Sequence, residues 1–547
     1  MATFRLCALL AVSLLAGCAT YHTEAPARSE RGGLLERTHY QGELTATDGT
    51  RIRFTVWQPA LKRNETAPLI LHAHGFALTR LDGNIDMYRL LLAGQAARRA
   101  WEQGYWVISF DQRGHGGSKG KVGLMEWDKE VADVSLLIDW AQKNLAVTAV
   151  DGDPKVGMIG ESYGGGVQLL ASVADPRIDA LVPITTWYDL ENALVPEGVV
   201  KSDWALFLGV AGYGINPFHM DGSITAGMFK EIIFRDAQPD LRRRLHRNSL
   251  ASHCEAGEYP HADALLIQGF RDVLFPVDAA VKMRECFRAG GREARVIGVE
   301  HGHLAPTAQL PPIKPGSLPI WHIEPNVTCD GRSYALKDMT VRWFDLKLRG
   351  RHMPDSAIPH WCMTGDRAVD ALQAFPPAMT VDVPEVHVGS GAAGLMEWAI
   401  RPMVAMGNWF VPQGVPDDWA EPSNGWLRPA RAPLVVIDGP TWLIGSAHVE
   451  LDVFDTDRSN PVLFLRLAAW KHGSGSYRIL SQQVYPVRGK GSISVDLPAV
   501  RAKLQKGEVL GLMANGWSNQ FRMTGSGWGT DASIRGTISL PLAGAAR

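Results

Sequence analysis

Lys155-Val156-Gly157-Met158-Ile159-Gly160-Glu161-Ser162-Tyr163-Gly164-Gly165 is the stretch whose reading decides the fold of this chain. Residues 155–159 have the apolar character and length of one buried strand, and 165–174 read as a helix. Between them lies a Gly-x-Ser-x-Gly pentapeptide centred on Ser162. The pentapeptide alone recurs by chance in glycine-rich chains. Set between a strand and a helix, it describes a sharp turn that holds a serine hydroxyl above the end of a sheet. Glycines two before and two after are required because side chains would collide on so tight a turn.

A serine hydroxyl is a poor nucleophile until a base takes its proton, so a histidine oriented by a carboxylate should follow in the order Ser, Asp, His. Asp272 lies just past the strand candidate 264–268, in Gly269-Phe270-Arg271-Asp272, with Asp278 and Asp263 as substitutes. The base is sought in Glu300-His301-Gly302-His303, directly after the strand candidate 295–299. His301 is preferred because a base followed by glycine at a strand exit matches the usual pattern, and His303 is the alternative. His253 and His261 precede the acid and have the wrong order. Acyl transfer also needs two preorganised donors for the developing oxyanion. The backbone N–H of Tyr163 is one, and the Phe76 N–H, in the loop after the strand candidate 69–74, is the other. His74 and the run Asp111-Gln112-Arg113-Gly114-His115-Gly116-Gly117-Ser118 are read as structural, with Asp111 and Arg113 bracing the loops around the site.

The same alternation runs along the first 350 residues. After a hairpin over 43–57 that turns at Asp48-Gly49, buried strands are expected at 69–74, 106–110, 156–159, 180–184, 264–268 and 295–299. Helices are expected at 127–145, from the spacing of Val131, Val134, Leu137, Ile138 and Ala141, and at 334–348. Strands alternating with helices imply a parallel sheet covered on both faces. The aromatic-rich stretch 186–258 interrupts this rhythm and reads as a cap over the mouth of the sheet. Past about 353 the helical period vanishes, and alternating runs at 449–453, 462–467, 492–497, 509–513 and 534–540 read as a β-sandwich of jelly-roll type.

This arrangement resembles the cocaine-esterase and X-Pro dipeptidyl-peptidase family over nearly the whole of 43–542. The resemblance rests on Gly160-Glu161-Ser162-Tyr163-Gly164-Gly165, on Leu266-Ile267-Gln268-Gly269 through Asp272-Val273-Leu274-Phe275-Pro276, and on Trp343-Phe344-Asp345-Leu346-Lys347-Leu348-Arg349-Gly350. Phe375-Pro376-Pro377 is a fainter likeness in the jelly roll. The implied fold is an α/β-hydrolase core at 43–350 with a helical cap at about 186–258, followed by an all-β jelly-roll domain at 351–547. The implied activity is acyl-ester hydrolysis, removal of X-Pro dipeptides or β-lactam acyl chemistry. Several members supply an oxyanion donor from a tyrosine hydroxyl, where this chain has His74-Gly75-Phe76, so its second donor would be backbone only. A dipeptidyl-peptidase must also hold a substrate amino terminus, for which Glu191, Glu197 and Asp203 in the cap are the candidate carboxylates.

At the start of the chain Arg5 precedes an apolar run too short to span a bilayer, ending in Leu15-Ala16-Gly17-Cys18. This looks like a bacterial lipoprotein box: 1–17 would be a signal peptide, Cys18 the lipidated residue and 18–42 a tether. An ordinary signal peptide is the alternative. The expected site of action is the cell envelope, on the outer membrane if the cell has two.

Of six cysteines, four follow Cys18. In an oxidising compartment they allow two disulfides and three pairings, of which Cys254 with Cys286 and Cys329 with Cys362 is preferred. No Cys-x-x-Cys or His-Glu-x-x-His pattern occurs, so no metal and no cofactor is expected. A net charge of −2 over 547 residues gives no basic face for nucleic acid. The run Arg242-Arg243-Arg244 with Arg247 reads as a solvated helix face, or as a contact for lipid headgroups. Trp426, Trp442, Trp470, Trp517 and Trp528 read as core and domain-interface aromatics, or as a glycan-stacking set. The expected function is a lipid-anchored serine hydrolase acting on a small ester or peptide. The rival is a non-catalytic surface binding protein that uses the jelly roll for a glycan or partner.

Overall fold

Strand β1 (Thr38–Thr45) and β2 (Arg51–Gln58) open a nine-stranded sheet. It continues through β3 (Leu69–Ala73), β4 (Trp106–Phe110), β5 (Val156–Glu161), β6 (Ile178–Ile184), β7 (Asp263–Gly269), β8 (Ala294–Val299) and β9 (Trp361–Cys362). The spatial order is β1-β2-β4-β3-β5-β6-β7-β8-β9. Only the β1–β2 and β2–β4 pairings are antiparallel. The computed structural model describes residues 35–83, 91–215, 220–234, 238–300, 302–303, 326–389, 429–456, 458–474, 477–516, 518–521 and 530–544. The candidates Cys18 and His301 lie outside them, as do Trp426, Trp517 and Trp528.

Every residue of β3, β4 and β5 is buried, as an apolar run must be in a sheet covered on both faces. Successive side chains enter opposite cores: Leu69 and Leu71 join one hydrophobic cluster and Ile70 the other. Helices α1 (Leu92–Glu102), α2 (Ala132–Asn144) and α3 (Tyr163–Ala174) supply the cover, α1 on the Ile70 side and the other two on the Leu69 side.

Between β6 and β7 the chain forms the expected helical cap: α4 (Leu190–Leu194), α5 (Ser202–Ile215), α6 (Gly222–Phe234), α7 (Pro239–Arg247) and α8 (Leu250–Glu255). The basic run on α7 is only partly an open face. Arg242 pairs with Glu191 at 2.6 Å, Arg244 with Glu126 at 2.6 Å, and Arg243 with Asp240. Arg242 thus binds cap to cap and Arg244 cap to core, while Arg243 and Arg247 stay exposed, so the solvated-face reading holds for these two alone. Helix α9 (Asp278–Ala289) covers β7 and β8 on the side of α2 and α3, and α10 (Leu336–Leu348) packs with α1.

Four boundaries differ from the sequence reading. Strand β1 begins at Thr38, inside the stretch expected as a tether, because its pairing with β2 runs from Thr38↔Gln58 to Thr45↔Arg51. The helix expected from 127 starts as a wider π turn, Trp127–Val131, where the buried Glu130 accepts from Gly123 and Glu126 N–H. The helix expected from 334 begins at Leu336, since Tyr334 belongs to the strand Arg332–Ala335. The core sheet also runs past 350, because β9 pairs in parallel with β8. The Cys329–Cys362 disulfide ties that edge strand to the strand Asn326–Cys329, and Cys254–Cys286 ties α8 of the cap to α9.

The C-terminal part is all-β. One antiparallel sheet runs Gly491–Asp496, His448–Phe454, Ala532–Gly544, Thr441–Gly445 and Val500–Leu504, with Ala378–Val388 also on the long strand. The other runs Ala430–Val436, Glu508–Asn515, Val462–Lys471 and Arg478–Ile479, with Tyr485–Arg488 on Val462–Lys471. Val449, Leu451 and Val453 point inward and their neighbours outward, the alternation that makes a sandwich. Trp442 lies between this sandwich and the core, donating to Asp366 at 3.2 Å beneath Arg501. A further small core, Val199 with Val462, Phe464, Val484 and Phe521, joins the sandwich to the cap.

Candidate active site

Ser162 sits where β5 meets α3, with φ 52° and ψ −112°. A non-glycine residue holds such a conformation only when its surroundings impose it. Here the Ser162 N–H donates to Ile184 O at 2.9 Å, and its own carbonyl accepts from Gly165, Gly166 and the Thr186 hydroxyl. The flanking glycines are explained by β3. A Cβ at Gly164 would lie 2.1 Å from Ala73 O, and one at Gly160 would lie 2.6 Å from the same atom. The turn is therefore pressed onto the neighbouring strand's backbone.

His303 Nε2 is 3.0 Å from Ser162 Oγ, and its Nδ1 is 2.9 Å from Asp272 Oδ2. The carboxylate can only accept, so the Nδ1 proton faces it and Nε2 is left to receive the serine proton. Asp272 is fully buried, and its other oxygen accepts from Leu274 N–H at 2.9 Å and Phe275 N–H at 2.8 Å. The imidazole is held edge-on by Phe275, at 4.8 Å, and by Trp204 of the cap, at 5.5 Å. The position expected of His301 is thus taken by the alternative, His303. Strand β8 ends at Val299, and the chain bridges serine and acid four residues later.

The other carboxylates considered for the acid have separate partners. Asp263 accepts from Glu293 N–H and Lys347, and Asp278 caps the sandwich loop through Ala499 N–H at 3.0 Å. His253 pairs with Glu258 and stacks on Trp127.

Both amides expected to face the oxyanion border the nucleophile. Tyr163 opens α3, whose first N–H groups are directed at this end of the turn. Gly75 stands so close that a Cβ there would be 3.9 Å from Ser162 Cβ, which brings Phe76 to the same rim. The Phe76 ring meets Tyr163 at 5.7 Å and His115 at 5.6 Å.

Around this rim the polar residues brace one another. His74 lies between Gly75 O at 2.8 Å and Gln112 N–H at 3.0 Å, and burial pushes its pKa down to about 3, so it stays neutral. Asp111 holds Arg80 and the Gly117 N–H, and Arg113 forks onto Asp133 at 2.7 and 2.9 Å. In the cap, Glu191 is paired with Arg242, and Glu197 accepts from the Tyr485 hydroxyl at 3.3 Å. The Asp203 side chain lies outside the described residues.

Four residues at the site carry no sequence signal. Lys201 of the cap is buried, donates to Val273 O at 2.8 Å, and has its pKa lowered to about 8 by burial. Gln483 of the sandwich reaches the Asp272 carbonyl at 3.0 Å. Glu130 accepts the Tyr163 hydroxyl. Glu161 is buried beside the nucleophile, accepts from Ala93 N–H at 2.8 Å, and is pushed up to about 7 by burial. A charged or amide residue in a polar segment reads as surface until the fold buries it.

Residues 48–303 match the model of the family described as X-Pro dipeptidyl-peptidase (S15 family). Two Escherichia coli proteins described as uncharacterized 31.7 kDa proteins in the traX-finO intergenic region are 28% identical over 162 residues, 30% of this chain and 50% of theirs. The chain thus spans about half the length of the curated relatives it matches. Among solved structures, an aminopeptidase from a marine sediment Thaumarchaeota archaeon superposes with TM-score 0.60 at 12% identity, covering 96% of this chain and 99% of that one. A CocE/NonD family hydrolase from Staphylococcus aureus superposes with TM-score 0.56 at 12% identity, covering 97% and 100%. These two likenesses are of fold, and they extend through the sandwich. The family match thus covers the core of an α/β-hydrolase fold, including the strand-to-helix turn that carries Ser162, and over that core the chain is similar to the X-Pro dipeptidyl-peptidase (S15) family.

Proposed function

We propose that the chain hydrolyses a carboxylic ester or amide through an acyl-enzyme on Ser162. The observation that carries this reading is the imidazole of His303 between Ser162 Oγ and Asp272 Oδ2, at 3.0 and 2.9 Å. As Oγ attacks the carbonyl carbon, its proton moves to His303 Nε2, and the oxyanion is received by the Tyr163 and Phe76 N–H groups. His303 returns the proton to the leaving alcohol or amine, the carbon–heteroatom bond breaks, and the acyl group remains on Oγ. Water then enters by the same path, giving up a proton to Nε2, and the acid leaves as Oγ is reprotonated.

Between ester and X-Pro peptide, the two described candidate carboxylates of the cap favour the ester. Glu191 is engaged by Arg242 and Glu197 by Tyr485, while the Asp203 side chain lies outside the described residues. Turnover of a nitrophenyl ester set against an Ala-Pro anilide tests this, and faster cleavage of the anilide would reverse it. Loss of fluorophosphonate labelling in Ser162→Ala tests the nucleophile itself.

Anchoring through Cys18 forms part of the same reading, motivated by Leu15-Ala16-Gly17-Cys18. The substrate would then be an ester or amide reaching the envelope. Cys18→Ser should release the protein from the membrane fraction and stop incorporation of labelled palmitate. Labelling that persists would exclude Cys18 as the lipidated residue.

A further inference from the structure

The turn that carries the acid is gripped from three parts of the molecule. Gln268, on strand β7, donates to Phe275 O at 2.6 Å. Lys201, from the cap, donates to Val273 O at 2.8 Å and Leu274 O at 3.4 Å. Gln483, from the sandwich, donates to Phe270 O at 3.2 Å and Asp272 O at 3.0 Å. Five of the six carbonyls from 270 to 275 thus have a side-chain donor, and the two flanking the acid's own peptide share one amide group.

Gln483 is buried, and it follows two non-glycine residues in the left-handed region, Ser481 at φ 50° and Gln482 at φ 55°. Backbone held in that region needs surroundings that impose it. The Ser481 hydroxyl accepts from Arg501 N–H at 2.9 Å, and Gln520 donates to Gln482 O at 3.2 Å, so the strained pair is held on both sides. Arg501 makes a second connection. Its guanidinium pairs with Glu300, which also accepts from Arg271 at 3.0 Å, and lies 5.4 Å over the Phe270 ring. Glu300 begins the segment leading to His303, and Arg271 precedes the acid.

We propose that the C-terminal sandwich positions the triad, with Gln483 a positioning residue for Asp272 and Arg501 holding the histidine segment through Glu300. This rests on the reading of Ser162, Asp272 and His303 as the triad. The physical reason is that Asp272 and His303 both lie in loops beyond strand ends, where no ladder of hydrogen bonds holds them. An amide that satisfies two buried carbonyls excludes other loop conformations, since each would leave a buried acceptor unpaired. The sandwich is then needed for turnover even though none of its described side chains touches the reacting atoms.

The test uses the full chain and three variants. Gln483→Met keeps length and bulk without donors, Gln483→Glu sets acceptors against the carbonyls, and Glu300→Gln cuts the ion pairs to Arg271 and Arg501. With a nitrophenyl ester, both Gln483 variants should lose about 100-fold in kcat, the scale of a misplaced catalytic group, with KM within about twofold. Fluorophosphonate labelling should slow in parallel. Glu300→Gln should lose about tenfold in kcat and serves as the reading if the Gln483 variants do not unfold cooperatively. A Gln483→Met protein that keeps kcat within about threefold overturns the proposal, as does an unchanged Glu300→Gln if that variant must serve. Ser162→Ala is run beside them. If it is inactive while Gln483→Met is active, only the positioning role fails, and if it stays active the triad itself fails.

Discussion

Tyr163, the residue after the nucleophile, donates its hydroxyl to Glu130 at 2.7 Å. Glu130 also accepts from Gly123 N–H at 2.8 Å and Glu126 N–H at 2.7 Å, and it is buried. The first turn of α3 is thus tied to the π turn that starts the preceding helix. Removing the hydroxyl leaves a buried carboxylate short of one donor. Tyr163→Phe is therefore expected to lower stability by about 1–3 kcal/mol while leaving the backbone N–H in place. Urea unfolding measures the first effect, and retained fluorophosphonate labelling checks the second.

His303 and His301 should separate cleanly in kinetics. His303→Ala removes the group that bridges Ser162 and Asp272 and is expected to lower kcat by about 10⁴-fold or more, as does Ser162→Ala. His301→Ala is expected to cost far less. Ester turnover by both variants, with labelling as a second readout, decides which histidine is the base.

Gly164→Ala should damage the fold and not merely the rate. The added methyl would lie 2.1 Å from Ala73 O, a backbone atom in the middle of the sheet that cannot move aside. A loss of about 3 kcal/mol or more is expected, read as a lowered melting temperature and poor soluble yield.

Glu161 makes stability fall with rising pH. Burial raises its pKa from 4.5 to about 7, so between these values the folded protein holds a proton that the unfolded chain has lost. The folded state binding more protons means that stability decreases as pH rises from about 4.5 to about 7, by about 3 kcal/mol for this group. Glu161→Gln keeps the acceptor for Ala93 N–H and removes the titration, so its stability curve should be flatter over that window. Unfolding free energies of both proteins at pH 5 and pH 8 provide the comparison.

The Cys254–Cys286 bridge closes a loop of sequence separation 32 and joins the last cap helix to α9. Reduction, or Cys254→Ser with Cys286→Ser, is expected to cost about 4 kcal/mol in the chain-entropy description. Calorimetry with and without reductant checks it.

Much of this molecule was legible along the chain. Strands at 106–110, 156–159, 264–268 and 295–299 are apolar runs of strand length, and each lies in the sheet. A buried parallel strand must be apolar on both faces, so its composition alone announces it. The alternating strands of the sandwich were visible by their period, and the cap as an aromatic-rich break in the strand–helix rhythm. The serine turn was legible because a tight turn against a neighbouring strand admits only glycine at Gly160 and Gly164.

Where a signal depends on local chemistry, the chain alone determined the outcome: the serine-bearing turn between strand and helix, and the fold class. What lay beyond local chemistry needed the tertiary structure. Two histidines, two residues apart, look alike in sequence, and it is the distance to Ser162 Oγ that singles out His303. The basic run on α7 could not announce its partners, since Glu126 and Glu191 reach it through the fold. Lys201 and Gln483 had no signal at all, because a donor facing a carbonyl far away in sequence carries no pattern of its own. Local period and turn sterics are written residue by residue, whereas the contacts that aim Asp272 at His303 exist only once core, cap and sandwich have closed around one loop.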